Sequence, residues 1–311
     1  MNTAQQNESA YIRTDLASEC AQSALRNRRK TSLPADGKEE TGYLFREDCE
    51  DEITISSLDI LDERGMATLG KPVGRYITLS FGKLWLASPE KRSNVVRLLS
   101  RELRQMIAHT APHCQSILAA GLGNRDVIAD AIGPLSVREL NVTRHIKQED
   151  SDLFYRLSAA EVSAIAPGVL GQTGIETLEL IRGAVDNVSP DLVIVIDALA
   201  ARSVDRLACT LQLTDTGISP GSGIANKRSA IDEAALGVPV IAIGVPTVVD
   251  SSTLVYDALH EAGIEEIDSR LRDVLENGKS FFVSLKEADV ASHMMADVIA
   301  ESLNQTFGNE F

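Results

Sequence analysis

Two aspartates stand where acid–base hydrolysis could be run. Asp130 ends GLGNRDVIAD (121–130), and Asp197 follows the apolar run LVIVI (192–196). In open α/β sheets ligands bind outside the carboxyl ends of the strands, so acids placed directly after strands lie at the working edge. Burial beside an apolar run makes a carboxylate such as Asp197 expensive unless it is paired or used. Two carboxyls held at one water cannot both ionise easily, which leaves one acid and one base at neutral pH. Each residue also has a structural role open to it. Asp197 could cap a helix or pair with Arg202, and Asp130 could cap the helix that follows it. Asp126, four residues before Asp130, competes for the same work.

Other motifs are weaker. Gly121, Gly123 and Asn124, and Gly221 and Gly223 in GSGIANKRSA (221–230), could offer backbone amides to a substrate or to a developing oxyanion, with a plain loop as the alternative. Gly121-Leu122-Gly123 is followed by Asn124, Arg125 and Asp126 rather than by the rest of GxGxxG, and the P-loop, GxSxG and HExxH patterns are missing. The histidines (109, 113, 145, 260 and 293) are scattered; His109 and His113 share helical spacing and read as surface or structural positions. They form no metal triad, and no cofactor is expected. Cys20, Cys49, Cys114 and Cys209 make no CxxC pair and read as free thiols in a reducing compartment.

The elements that must position these residues are legible in part. Residues 1–50 are polar and read as a loosely attached tail. ITISSLDIL and GRYITLSFGKLWL, within 53–86, are β-branched and aromatic and predict strands or a hairpin. Ser88-Pro89-Glu90 supplies a cap, a first-turn proline and an early acid, and Val95, Leu98, Leu99, Leu103, Met106 and Ile107 carry the helix to about residue 109. Beyond 116 strand and helix alternate: strands at 116–120, 191–199, 208–213 and 238–245, helices at 134–145, 176–188 and 229–237, and one or two amphipathic helices over 285–305. Continuous apolar strands between helices predict a single α/β domain with a central, mostly parallel sheet flanked by helices. The strand-rich part, 53–86, is expected as a small insertion or subdomain beside the α/β core, 116–250.

Composition narrows the functional classes. The chain has 311 residues, 44% hydrophobic and 24% charged, enough for a sizeable core. Its formal charge of −15 makes a phosphate backbone a poor partner, and 4% aromatics leaves little for base stacking, so direct nucleic-acid binding is disfavoured. No apolar run is long enough to span a membrane and the first residues lack signal-peptide character, so the protein is expected in the cytoplasm and away from membranes.

Several blocks in order then resemble the germination protease, or spore protease, family of spore-forming bacteria. They are YIRTDLASE (11–19), GLGN…DAIGP (121–134), SAIAPGVLGQTGIET (163–177), IDALAAR (196–202), LTDTGISPGSGIANKR (213–228) and LGVPVIAIGVPTVVD (236–250). The resemblance implies a core fold similar to the hydrogenase maturation peptidases. It implies an aspartic-type endopeptidase, made as a self-processing zymogen in the forespore and spore core, that starts the degradation of small acid-soluble spore proteins during germination. Carried over, the two family acids match Asp130 and Asp197, and a homotetramer is implied. Family substrates are cut after an acid that precedes an apolar residue, Ala, Ser and Glu; Asp15-Leu16-Ala17-Ser18-Glu19 matches, which implies a 1–15 propeptide and a 16–311 peptidase domain. A helix starting near Thr14 is the structural reading of the same residues. The chain departs from the family where Asn-Val-Thr-Pro precedes the first acid; Asp126-Val127-Ile128-Ala129 stand here. The alternatives are a metal-dependent peptidase using the same acids with Mg, Ca or Mn, and a non-catalytic binding protein on this scaffold.

Overall fold

The computed structural model describes residues 14–30, 41–157, 159–221, 229–264, 268–277 and 281–308. In chain order its elements are α1 (Ala17–Lys30), β1 (Tyr43–Glu50), β2 (Ile53–Ile60), α2 (Glu63–Leu69), β3 (Gly74–Ser80), α3 (Pro89–Thr110), β4 (Ser116–Gly121), α4 (Ile132–Arg138), α5 (Arg144–Glu149), α6 (Ser151–Leu157) and β5 (Glu161–Ile165). There follow α7 (Leu170–Thr173), α8 (Thr177–Val188), β6 (Leu192–Ala201), β7 (Thr210–Thr214), α9 (Glu233–Leu236), β8 (Val240–Asp250), α10 (Ser251–Glu261), α11 (Ser269–Asn277), β9 (Phe282–Ser284) and α12 (Ala288–Phe307).

Local chemistry sets many of these boundaries. Ser88 accepts the Lys91 N–H at 3.2 Å and Pro89 opens α3, where the sequence places the start. Gly237, at φ 72°, closes α9 in the left-handed conformation that glycine adopts without strain. Two expectations fail. The tail is not a tail throughout: α1 and β1 are built from it, because Ala17 and Ala21 bury against Tyr43, Leu58 and Ile60 although their neighbours are polar. The continuous helix over 134–145 breaks at Leu140–Thr143, where the Thr143 hydroxyl accepts the Val162 N–H and donates to the Ala160 carbonyl, tying the chain to β5 instead. β5 itself is too short and too polar for its pattern to stand out.

All the strands join one sheet, in the order β1-β2-β3-β7-β8-β6-β4-β5, with β9 on the end of β8. Strands β8, β6, β4 and β5 are parallel, as expected of the α/β core. β7, β3, β2 and β1 continue the sheet antiparallel, so the strand-rich part is an arm of the central sheet. One face carries Ile77, Leu213, Ile243 and Ile196 in paired positions beneath α3 and α12. The other face is shared: α8 covers Leu118, Ala120, Val193 and Val195, while α1 lies over Leu58 and Tyr76 of the arm. No described helix is long and apolar enough to cross a membrane.

The chain reverses its direction of winding between β4 and β6. From β4 it crosses through α4–α6 to β5 on the outside, and from β5 it returns through α7 and α8 to β6 on the other side of β4. Such a reversal opens a crevice at the carboxyl ends of the two strands. α4 enters that crevice in backbone-to-backbone contact. A Cβ on Gly133 would lie 2.3 Å from the Leu122 carbonyl oxygen and 2.5 Å from that of Ile196, and a Cβ on Gly121 would lie 2.2 Å from the Gly133 carbonyl oxygen. Gly133→Ala is therefore expected to destabilise the fold by about 1–3 kcal/mol or more through overpacking against rigid backbone. Chemical denaturation of the variant beside the parent checks it; equal midpoints would show that the contact can relax.

Candidate active site

Asp130 lies in a 3-10 turn over Ile128–Asp130 that fills the crevice between the end of β4 and α4. Its Oδ2 accepts the Asn124 N–H at 2.8 Å. Gly123, at φ 108°, curls the loop around the acid so closely that a Cβ there would lie 2.0 Å from the Asp130 carbonyl oxygen and 3.0 Å from Oδ1. The cap expected as its structural role is not what it does: Ala131 occupies the N-cap of α4 and no side chain caps it. The turn is held from two further elements, by Thr247 Oγ1 donating to the Ala129 carbonyl at 2.6 Å and Ser292 Oγ to that of Ile128 at 3.3 Å. Asp126, the competing acid, is exposed on the rim, where Gln172 Nε2 reaches both its Oδ2 and the Asn124 Oδ1.

Asp197 is buried at 6% exposure. It is the first residue of β6 past the pairing with β4, which ends at Gly121 opposite Ile196. Its Oδ1 accepts the Ala198 N–H at 2.9 Å. Neither structural alternative holds, because Asp197 lies within a strand and Arg202 instead makes a forked contact with Asp257, at 2.6 Å for the shortest atom pair. Burial opposes the charge of Arg202, but the hydrogen-bonded Asp257 outweighs it and raises the pKa of the guanidinium. Gly121, Gly123 and Asn124 thus pack the crevice and cradle Asp130. Gly221 forms a turn at φ 73°, and Gly223 lies outside the described residues. His109 and His113 are exposed, as expected, and the four cysteines are unpaired thiols. Among the described residues no three His, Cys, Asp or Glu side chains converge as a metal-ligand group.

A neighbouring feature escapes the sequence. Gln212 of β7, Gly244 of β8 and Asp197 of β6 stand directly opposite one another across three strands, on the face between α1 and α8. Beside this row opens a cavity of about 260 Å³ lined by Asp15, Tyr76, Leu199, Gln212 and Gly244, among others. Burial pushes the Tyr76 phenol up to about 12. Into the site comes the N-terminal segment. Asp15 donates its N–H to the Ala200 carbonyl at 2.8 Å and accepts the Ala200 N–H on Oδ2 at 2.9 Å. Leu16 is 0% exposed among Leu199, Ala201, Leu207 and Val249. Glu19 accepts the backbone N–H of Arg202 at 2.9 Å and that of Ser203 at 3.3 Å, and also the Thr14 hydroxyl. The helix of the structural reading begins at Ala17, so the Asp15–Leu16 bond precedes it.

Comparison with known proteins decides the family. A family model described as germination protease matches residues 18–263. The chain belongs to the germination protease family. It is accordingly a peptidase, a hydrolase with a role in spore germination. The germination protease of Clostridium perfringens (strain ATCC 13124) is 41% identical over 89% of this chain and 81% of its own length. That of Caldanaerobacter subterraneus subsp. tengcongensis is 46% identical over 80% and 72% respectively. Among solved structures, the [NiFe] hydrogenase maturation protease HycI from Thermococcus kodakarensis KOD1 is similar over 64% of this chain and 99% of its own, at 16% identity and a TM-score of 0.36.

Leu16 is the apolar anchor of the docked segment. Leu16→Ala is expected to weaken docking by about 2–5 kcal/mol through lost burial and the cavity left behind. Amide exchange at Ala17–Ala21 should accelerate at least tenfold while that of Val193–Ile196 in β6 stays unchanged. Equal acceleration in both segments would show a global effect instead.

Proposed function

We propose that this protein is an aspartic-type endopeptidase, made as a self-processing zymogen, that begins the breakdown of small acid-soluble spore proteins when the spore germinates. The observation that carries the reading is the placement of Asp130 and Asp197 at the switch-point crevice, one cradled by the Gly123–Asn124 loop and the other buried at the end of the β4 pairing. Both depart from the structural roles open to them. A water between the acids loses a proton to the ionised carboxylate and attacks a peptide carbonyl polarised by the protonated one. The proposed reaction needs one of the two acids protonated and the other ionised.

Self-processing is assigned to the Asp15–Leu16 bond, releasing residues 1–15. It is supported by the docking of Asp15, Leu16 and Glu19 against the end of β6, the strand that carries Asp197. The substrate proteins would be cut at the same kind of sequence. The enzyme works as a homotetramer in the spore core, and its charge of −15 favours substrate released from DNA over substrate bound to it.

The test is N-terminal mass analysis of the wild type beside Asp130→Asn and Asp197→Asn, with a small acid-soluble spore protein as added substrate. The wild type should lose residues 1–15 and cut the substrate; each variant should lose at least a thousandfold in both rates while keeping its circular dichroism. Robust cleavage by Asp197→Asn would sink the mechanism. A wild type silenced by chelator and restored by Mg or Mn would move the same acids to a metal-assisted reaction.

A further inference from the structure

We propose that Gln212 is a catalytic residue of self-processing, holding and polarising the carbonyl of the bond that is cut. The assignment rests on the Asp15–Leu16 bond being the processing site. The side-chain amide of Gln212 brackets that bond: Nε2 donates to the Asp15 carbonyl oxygen at 3.3 Å, and Oε1 accepts the Ala17 N–H at 2.7 Å. Gln212 is 6% exposed, in a strand whose flanking residues Leu211 and Leu213 turn to the opposite, apolar face. A buried carboxamide in such a strand must find partners, and the partners it finds lie on either side of Leu16.

The sheet register connects this clamp to the proposed acids. Gln212 is opposite Gly244, and Gly244 is opposite Asp197. Neighbouring strands lie about 4.8 Å apart, so the backbones at 212 and 197 are separated by roughly 10 Å on one face. The residue between them is a glycine, over which Leu199 leans; a Cβ at 244 would lie 2.3 Å from Leu199 Cδ1. The Leu199 side chain thus lies over Gly244 on the face shared by clamp and acid, and the cavity of about 260 Å³ opens against Asp15 beside Gln212, Gly244 and Leu199.

The chemistry asks for such a donor. Water adds to the Asp15 carbonyl carbon and negative charge builds on the oxygen that faces Nε2. The C–N bond to Leu16 then breaks, and a proton passes to the Leu16 nitrogen, leaving a carboxyl on Asp15 and an amine on Leu16. A fixed N–H aimed at that oxygen stabilises the charged state more than the ground state, and losing one such donor lowers rates about a hundredfold to a thousandfold. Oε1, by holding the Ala17 amide, fixes the leaving side of the bond.

Gln212→Glu separates donor from shape, since the carboxylate keeps the acceptor for Ala17 but offers the Asp15 carbonyl only oxygen lone pairs. Release of residues 1–15 from the full chain is followed by intact mass across a pH series, wild type beside variant, with melting temperature as the check of folding. The variant's rate relative to wild type should be about a hundredth at pH 7.5 and should recover at least tenfold as the pH falls and the introduced carboxyl takes up a proton to donate. Gln212→Asn, one methylene short on both contacts, should process at least tenfold slower at unchanged melting temperature, and it decides the matter if Gln212→Glu does not fold. A ratio near one, or a low ratio that is flat with pH, overturns the assignment of Gln212, as does wild-type processing by Gln212→Asn. A wild type that never loses residues 1–15 overturns the processing reading itself and the Gln212 assignment with it, whereas a wild type that processes beside unaffected variants overturns Gln212 alone.

Discussion

The whole site depends on backbone touching backbone where α4 meets the ends of β4 and β6. Gly121 and Gly133 let the strand and the helix approach to a distance that no side chain allows, and Gly123 repeats the device one turn earlier around Asp130. Because the contact is made by main chain, it fixes the position of the 3-10 turn without relying on rotamers. Thr247 and Ser292 then pin the turn's carbonyls from β8 and α12. A carboxylate presented this way loses little conformational entropy on use, which is what preorganised acid–base chemistry requires.

The mixed sheet contributes a second constraint. In a wholly parallel doubly wound sheet, helices cover both faces and the strands are apolar throughout. Here the antiparallel arm begins at β7, so α8 ends its coverage near β8 and α1 resumes it over β2 and β3. Between the two helices lies the polar row Gln212, Gly244 and Asp197, flanked on β7 by the buried Thr210 and Thr214. The uncovered strip of sheet is where the N-terminal segment docks. Its place follows from where the sheet changes from parallel to antiparallel.

Much of this was legible in the sequence where periodicity or punctuation is strong. Ser88-Pro89 marked α3, Gly237 closed α9, and the apolar run before Asp197 announced a buried strand with an acid at its working edge. What escaped has a physical reason in each case. α1 is mostly polar because only its Ala17 and Ala21 side packs on the sheet, so its apolar stripe is too narrow to show. β1 is an edge strand with largely exposed charged residues, and an edge needs no hydrophobic face. Residues 134–145 read as one helix because the link from Thr143 to β5 is tertiary and leaves no mark on the local pattern. Gln212 sits in LQL like any solvent-facing residue of an amphipathic strand, and only the register with Gly244 and Asp197, together with a segment 195 residues away, gives it partners.

The contacts of the N-terminal segment are divided unequally about residue 15. Before the Asp15–Leu16 bond the described chain is held by Ala200, by Lys71 on the Thr14 carbonyl, by Gln212 on that of Asp15 and by the Thr14 hydroxyl, which donates to Glu19 and accepts the Leu16 N–H. Neutral hydrogen bonds of this kind contribute about 0.5–1.5 kcal/mol each, and those to Lys71 or a carboxylate about 1.5–3 kcal/mol, and all exchange readily with water. After the bond come Leu16, wholly buried, and the helix packed through Ala17 and Ala21. Burying a leucine side chain alone contributes about 1.5–3 kcal/mol, and it brings no compensating partner from water. In the proposed processing, a cut between the two would leave Thr14 and Asp15 held by exchangeable hydrogen bonds and Leu16 held by burial. Departure of Asp15 would enlarge the cavity beside Gln212 and Gly244, while Leu16 kept the end of β6 packed. Under the proposed processing, the contacts of the described residues favour retention of the Leu16 side of the bond.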